Sequence, residues 1–227
     1  MCIRICVRRR FFRRLLCSGL AVCMCLSIGC ATNLESQFLT RSTLEGEALV
    51  SHYGTVQAVE IQNLFHSIVN RILARDPLAS NIEVIVLQTK EPLAFASGEN
   101  LILLSRGILH AVHHEAELAF VIAHEIAHLK LRHTAQPKID PLMEESAADA
   151  YAVELLERGG YPSCVAINSI WHAMQYSVRV LEVAEEQESC LFHARARLSA
   201  LSANPSMRRL CPLGSSSRQF AKALSIL

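Results

Sequence analysis

No two of the chain's nine cysteines stand at Cys-x-x-Cys spacing, so the sequence offers no thiolate zinc site. Internal repeats and low-complexity tracts are also missing, and nothing in the composition resembles a fibrous or disordered chain. Aromatic residues are few, at 6% with a single tryptophan, while hydrophobic residues make up 51%. That balance fits a compact, helix-rich globular protein. Acidic residues are absent from positions 1–29, which hold Arg4, Arg8, Arg9, Arg10, Arg13 and Arg14. Setting those six aside leaves 16 basic residues against 21 acidic ones. The body is therefore mildly acidic without a basic face, and nucleic-acid binding is not expected. At 227 residues the chain is long enough for one sizeable core and short for two.

The arginine-rich start leads into fifteen uncharged residues, Leu15 to Gly29. That is short for a membrane span, which needs about 18 or more. The pattern is that of an export signal over residues 1–29. It ends in "LSIGC", where small Gly29 precedes Cys30. This resembles a bacterial lipobox, which implies lipid on Cys30, a membrane anchor through it, and a place in the bacterial cell envelope, on the periplasmic side of the outer membrane. Ser27 stands where such a box usually has leucine, so an uncleaved anchor and an ordinary cleaved signal stay open. Residues 30–43 are polar and read as a tether, 44–210 as the folded domain and 211–227 as a tail. Five cysteines fall in the signal. Cys164, Cys190 and Cys211 remain for at most one disulfide, whose pairing the sequence does not choose.

From Leu44 to about Ala74, apolar residues recur at helical spacing, predicting one or two amphipathic helices. The β-branched run 81–88 reads as a strand, and 95–105 as a turn at Gly98 followed by a second strand. A helix is predicted from Glu115 to about His133, with Pro137 stopping its continuation. The next starts at Pro141 behind Asp140 as N-cap and ends at Gly159-Gly160. A further helix follows Pro162. The expected fold is α+β, mostly helical, with a small antiparallel sheet.

The helix "VIAHEIAHL" (121–129) is apolar around nearly its whole circumference, yet carries His124, Glu125 and His128. Buried imidazoles and carboxylates are costly unless paired or bound to metal. His124 and His128, four apart, lie one turn from each other on one face, where two imidazoles can meet one Zn²⁺. Glu125 points beside the ion and is placed to act as general base. Downstream, Glu145 and Asp149 are also one turn apart, with small Ala148 and Ala152 permitting close helix approach. Glu145 is the candidate third ligand, and Asp149 the acceptor of the free N–H of a ligand histidine, His124 first. Two histidines, one glutamate and an open water position make a catalytic rather than a structural zinc arrangement. His110 and His114 are also four apart but lack a glutamate between them and a matched carboxylate pair downstream, and read as a polar loop or helix start. His52, His66, His133 and His172 read as surface or core histidines.

"AFASGENLILLSRGIL", "EAELAFVIAHEIAHLKLRH" and "EESAADAYAVELLERGGY", in that order, resemble the HtpX and CAAX-prenyl-protease type of zinc peptidases, most of all their soluble periplasmic lipoprotein branch. The resemblance covers about residues 45–200. It implies a zincin-like, gluzincin domain with one zinc ion on His124, His128 and Glu145, and Glu125 as base. Two features depart from the family pattern. Only sixteen residues separate His128 from Glu145, where the family has a longer, lid-like segment. The family's downstream His-Pro followed by Arg is matched imperfectly by His193-Ala194 with Arg197, or by Asn204-Pro205 without a histidine. His193 is the favoured oxyanion-stabilising residue.

The expected function is zinc-dependent endopeptidase action on polypeptides, with unfolded or misassembled envelope proteins implied by the resemblance. Substrate is expected to lie extended beside the strand region Ala94–Leu104. The alternative is a zinc-stabilised, chaperone-like binding lipoprotein with little or no proteolysis.

Overall fold

The computed structural model describes residues 34–74, 76–135, 140–181, 184–204, 207 and 218–225. The expected signal, Cys30, Pro137 and Cys211 lie outside these residues. The fold is α+β and mostly helical, with one four-stranded sheet. Among the described residues no helix is long and apolar enough to cross a membrane.

Helix α1 spans Leu34–Tyr53, so residues 34–43, read from sequence as tether, form its first half. Gly54, at φ 69°, breaks the chain there, and strand β1 (Thr55–Val56) separates α1 from α2 (Val59–Ile72). Helix α2 buries the stripe Ile61, Leu64, Phe65, Ile68, Val69 and Ile72, the spacing of one helical face. Strands β2 (Glu83–Leu87), β3 (Ala94–Ser97) and β4 (Leu101–Ser105) follow. The sheet order is β1-β2-β4-β3.

The sheet is mixed rather than antiparallel. β3 and β4 form a hairpin with Phe95 opposite Leu103, turning at Gly98, whose φ is 59°. β2 instead runs parallel to β4, with Val84 opposite Ile102. The sequence pattern predicts strands at 81–88 and after Gly98 in an antiparallel sheet, and does not separate Ala94–Ser97 as a strand of its own. The short segment Ala94–Ser97 is the outer strand, and inserting it reverses the direction in which β4 meets β2.

Ser105 closes β4 and opens α3 (Arg106–Ala111): its Oγ accepts the Ile108 N–H at 3.0 Å, as an N-cap does. Gly107 is required at the start of α3. A Cβ there would sit 2.1 Å from the Lys90 carbonyl oxygen, a backbone atom. Helix α4 (Glu115–Lys130) packs on β3 and against α5 (Pro141–Arg158), α6 (Val165–Val180) and α2. Helix α7 (Ala184–Ser202) crosses α5 and α6, and α8 (Arg218–Leu224) packs on α2.

Helix α5 starts as predicted. Asp140 accepts the N–H groups of Leu142 and Met143, and Pro141 takes the first position, where its missing N–H costs nothing. At its other end the Arg71 side chain donates to the carbonyls of Gly159 and Gly160 at 2.6 and 3.2 Å. Cys164 is disulfide-bonded, and Cys190 is buried.

Candidate metal centre

Helix α4 is buried from Glu117 to Leu129 without interruption. His124, Glu125 and His128 are 0% exposed. Helix α5 lies alongside through Ala148 and Ala152, also 0% exposed. With no side chain beyond Cβ at those two positions, α5 brings Glu145 and Asp149 up to the histidines.

Three ligand atoms converge. His124 Nε2 is 3.2 Å from His128 Nε2 and 3.3 Å from Glu145 Oε2, while His128 Nε2 is 3.4 Å from Glu145 Oε1. Ligands about 2.05 Å from a tetrahedral zinc ion stand roughly 3.3 Å apart along each edge of the tetrahedron. The three separations therefore fit one zinc-sized ion. The charge balance agrees. With the carboxyl groups ionised, Glu125, Glu145 and Asp149 bring three negative charges and Arg197 one positive, and a divalent cation cancels the two left over. Burying that excess without a cation would be strongly unfavourable.

Glu125 supplies a further observation. Both of its carboxylate oxygens are buried and neither has a hydrogen-bond partner among the described residues. An unpaired buried carboxylate costs several kcal/mol, on the order of the full desolvation of the group. Beside a metal and its water the same carboxylate has a partner. The residues present thus fit the metal that the motif implies.

Each ligand histidine is steadied through its other nitrogen. His124 Nδ1 lies 3.0 Å from Asp149 Oδ1, the contact expected from sequence. That bond keeps the proton on Nδ1 and leaves Nε2 for a metal. His128 Nδ1 lies 2.9 Å from His133 Nδ1, a partner that sequence reading placed at the surface or in the core. The backbone explains how His133 arrives there. Helix α4 ends at Lys130, three residues before the predicted end, and Arg132 adopts φ 58°. The His133 N–H then bonds back to the His128 carbonyl at 2.9 Å. This is a Schellman-type ending, which usually takes glycine at the left-handed position; arginine there hides the signal.

Arg197 of α7 closes the cluster and is 1% exposed. Its Nε donates to Asp149 Oδ2 at 2.7 Å and its Nη2 to Asp149 Oδ1. Its Nη1 is 3.2 Å from Glu145 Oε2. Burial pushes the Asp149 carboxyl up, but Arg197 and the His124 bond outweigh it and hold Asp149 below its usual value. Burial likewise pushes Glu145 up, and surrounding groups, His124, His128 and Arg197 among them, hold it well below the carboxylate range.

His193 is not brought into hydrogen-bond contact with the cluster. It lies one turn before Arg197 on α7, and its Nδ1 donates to the Ser189 carbonyl at 2.7 Å. That bond fixes the proton of the neutral ring on Nδ1, so Nε2 is an acceptor. Only the imidazolium form would donate to an oxyanion.

Residues 57–140 match Peptidase family M48, and residues 112–187 match Peptidase U49. Both segments contain His124, Glu125 and His128, and the second also contains Glu145 and Asp149. The matches agree with the family that the motifs resemble and support a metallopeptidase. Metallopeptidases of the M48 family usually bind zinc.

Proposed function

From two peptidase matches that overlap on the His-Glu-x-x-His helix, we propose that the chain is a zinc endopeptidase acting on unfolded or misassembled polypeptides. The observation that carries this reading is the convergence of the His124, His128 and Glu145 ligand atoms, with the next residue of the helix, Glu125, holding a buried carboxylate without a partner among the described residues. His124, His128 and Glu145 would hold the ion. Zinc bound there lowers the pKa of water toward neutrality and polarises a scissile carbonyl.

The chain's own groups do the rest. Glu125 takes the proton of the attacking water and hands it to the leaving amine nitrogen. Asp149 and His133 fix the ring orientation and tautomer of the two histidines. Arg197 offsets the charge of Asp149 and Glu145, so that both stay ionised in a dry site. His193 is the candidate donor to the oxyanion. His124, Glu125, His128 and Glu145 are all closed to solvent in this conformation.

The basic n-region, apolar run and "LSIGC" support a lipoprotein anchored through Cys30, facing the periplasm from the outer membrane. Unfolded envelope proteins would be its substrates in that setting.

The test is cleavage of a reduced, unfolded protein by the full chain. Chelation should abolish cleavage and added zinc restore it. Cleavage that persists after complete metal removal would contradict the proposal.

A further inference from the structure

A second cluster of ligand-type side chains sits at the other end of α4, and the proposed peptidase chemistry does not use it. Glu117 is in the first turn of α4 and its side chain is 0% exposed. Its Oε2 accepts the backbone N–H of His113 at 2.9 Å and lies 3.0 Å from Nδ1 of His172. Its Oε1 is buried without a hydrogen-bond partner among the described residues. The rings of His113 and His172 have centroids 4.0 Å apart. One ligand atom from each of His113, Glu117 and His172 lies within 4.8 Å of the others.

Three separate pieces of chain meet here. His113 comes from the connection between α3 and α4, Glu117 from α4 and His172 from α6. A lone ion pair between Glu117 and His172 would satisfy one carboxylate oxygen and leave the other buried and unpaired, at a cost of about 1–3 kcal/mol or more. A cation gives Oε1 a partner and draws both imidazoles to it. His113 is exposed and His172 partly so, which leaves the ion an entry path and room for water.

We propose that His113, Glu117 and His172 form a second metal site for a divalent transition ion of the zinc, cobalt or nickel class. Two imidazoles and one carboxylate suit those ions, whereas calcium and magnesium take oxygen ligands. The site is separate from catalysis. Glu117 and His124 are seven residues apart on one helix, two turns or about 10 Å along its axis. Metal pairs that share a reacting atom stand about 3.5–4 Å apart. The ion instead ties the start of the His-bearing helix to α6. The histidine-rich stretch 110–114, which reads in sequence as a polar loop or helix start with His110 and His114 as its spaced pair, contributes through His113.

The experiment counts cobalt ions per full-length chain, after metal removal and equilibrium dialysis against Co²⁺. Wild type should hold two. His113→Ala/His172→Ala should hold one, with cleavage of an unfolded substrate retained. His113→Ala alone, at an exposed position, guards against a misfolded double variant and should weaken occupancy of one ion at least tenfold. If the folded double variant keeps the wild-type count, the proposal is overturned. If wild type holds a single ion that the double variant loses, this site stands and the His124–His128–Glu145 centre is the one refuted.

Discussion

Arg197 grips Asp149 with two guanidinium nitrogens, Nε lying 2.7 Å from Oδ2, while the same carboxylate holds His124. One buried aspartate thus joins the ligand helix, the glutamate helix and α7. Removing the arginine leaves Asp149 and Glu145 as uncompensated charges. Arg197→Ala should cost about 3–5 kcal/mol in denaturant unfolding, as breaking a buried pair does. Arg197→Lys should recover only part, because a single ammonium cannot reproduce the fork. A loss under about 1 kcal/mol for the alanine variant would contradict the role given to Arg197.

His133 orients His128 through their Nδ1 atoms, 2.9 Å apart. His133→Ala should lower zinc affinity about 10–100-fold, measured by competition with a chromogenic chelator, with the fold unchanged. His52→Ala, at an exposed position outside the cluster, should leave affinity where it was.

These two residues show what could be read from the sequence and what could not. His124 with His128 and Glu145 with Asp149 are visible because helical spacing alone puts each pair one turn apart on one face; the structure brings His124, His128 and Glu145 together and sets Asp149 on His124. Ala148 and Ala152 signal the close helix contact. His133 is hidden because its approach depends on Arg132 taking a left-handed conformation that arginine rarely adopts. Arg197 could be named only beside His193, since nothing local shows which residue of α7 faces inward. Ala94–Ser97 does not stand out as a strand of its own because four residues carry too little pattern, and the expectation of an antiparallel sheet, where β2 and β4 are in fact parallel, followed from that.

Gly107 meets backbone, not a flexible side chain, at the start of α3. Gly107→Ala should destabilise by about 1–3 kcal/mol in thermal or denaturant unfolding, because the Lys90 carbonyl must move. Gly54→Ala meets no neighbouring atom, so any loss there should come from its left-handed backbone alone.

Asp76 accepts Lys130 Nζ at 2.9 and 2.7 Å and caps the turn Pro77–Ser80 through the Leu78 N–H. The Lys130 bond, with the Leu78 N–H, holds its carboxyl below the usual value. A carboxyl whose folded pKa is depressed contributes stability that is full above its unfolded pKa, about 3.9, and is lost as pH falls through the lower folded value. Asp76→Asn keeps the cap and loses the ion pair. It should cost under about 1 kcal/mol at pH 7, the pair being partly exposed. The deficit against wild type should shrink as pH drops below 4. Unfolding midpoints measured from pH 7 to pH 2.5 check the convergence.

The account rests most directly on Glu125, which follows the ligand candidate His124 and whose two oxygens are buried without partners among the described residues. Glu125→Gln preserves shape and removes the base. The decisive measurement is cleavage of an unfolded protein by zinc-loaded full-length wild type and Glu125→Gln, with zinc content determined on the same samples. The account predicts equal zinc content and a fall in cleavage of at least about 100-fold. Equal zinc content with equal cleavage would contradict it.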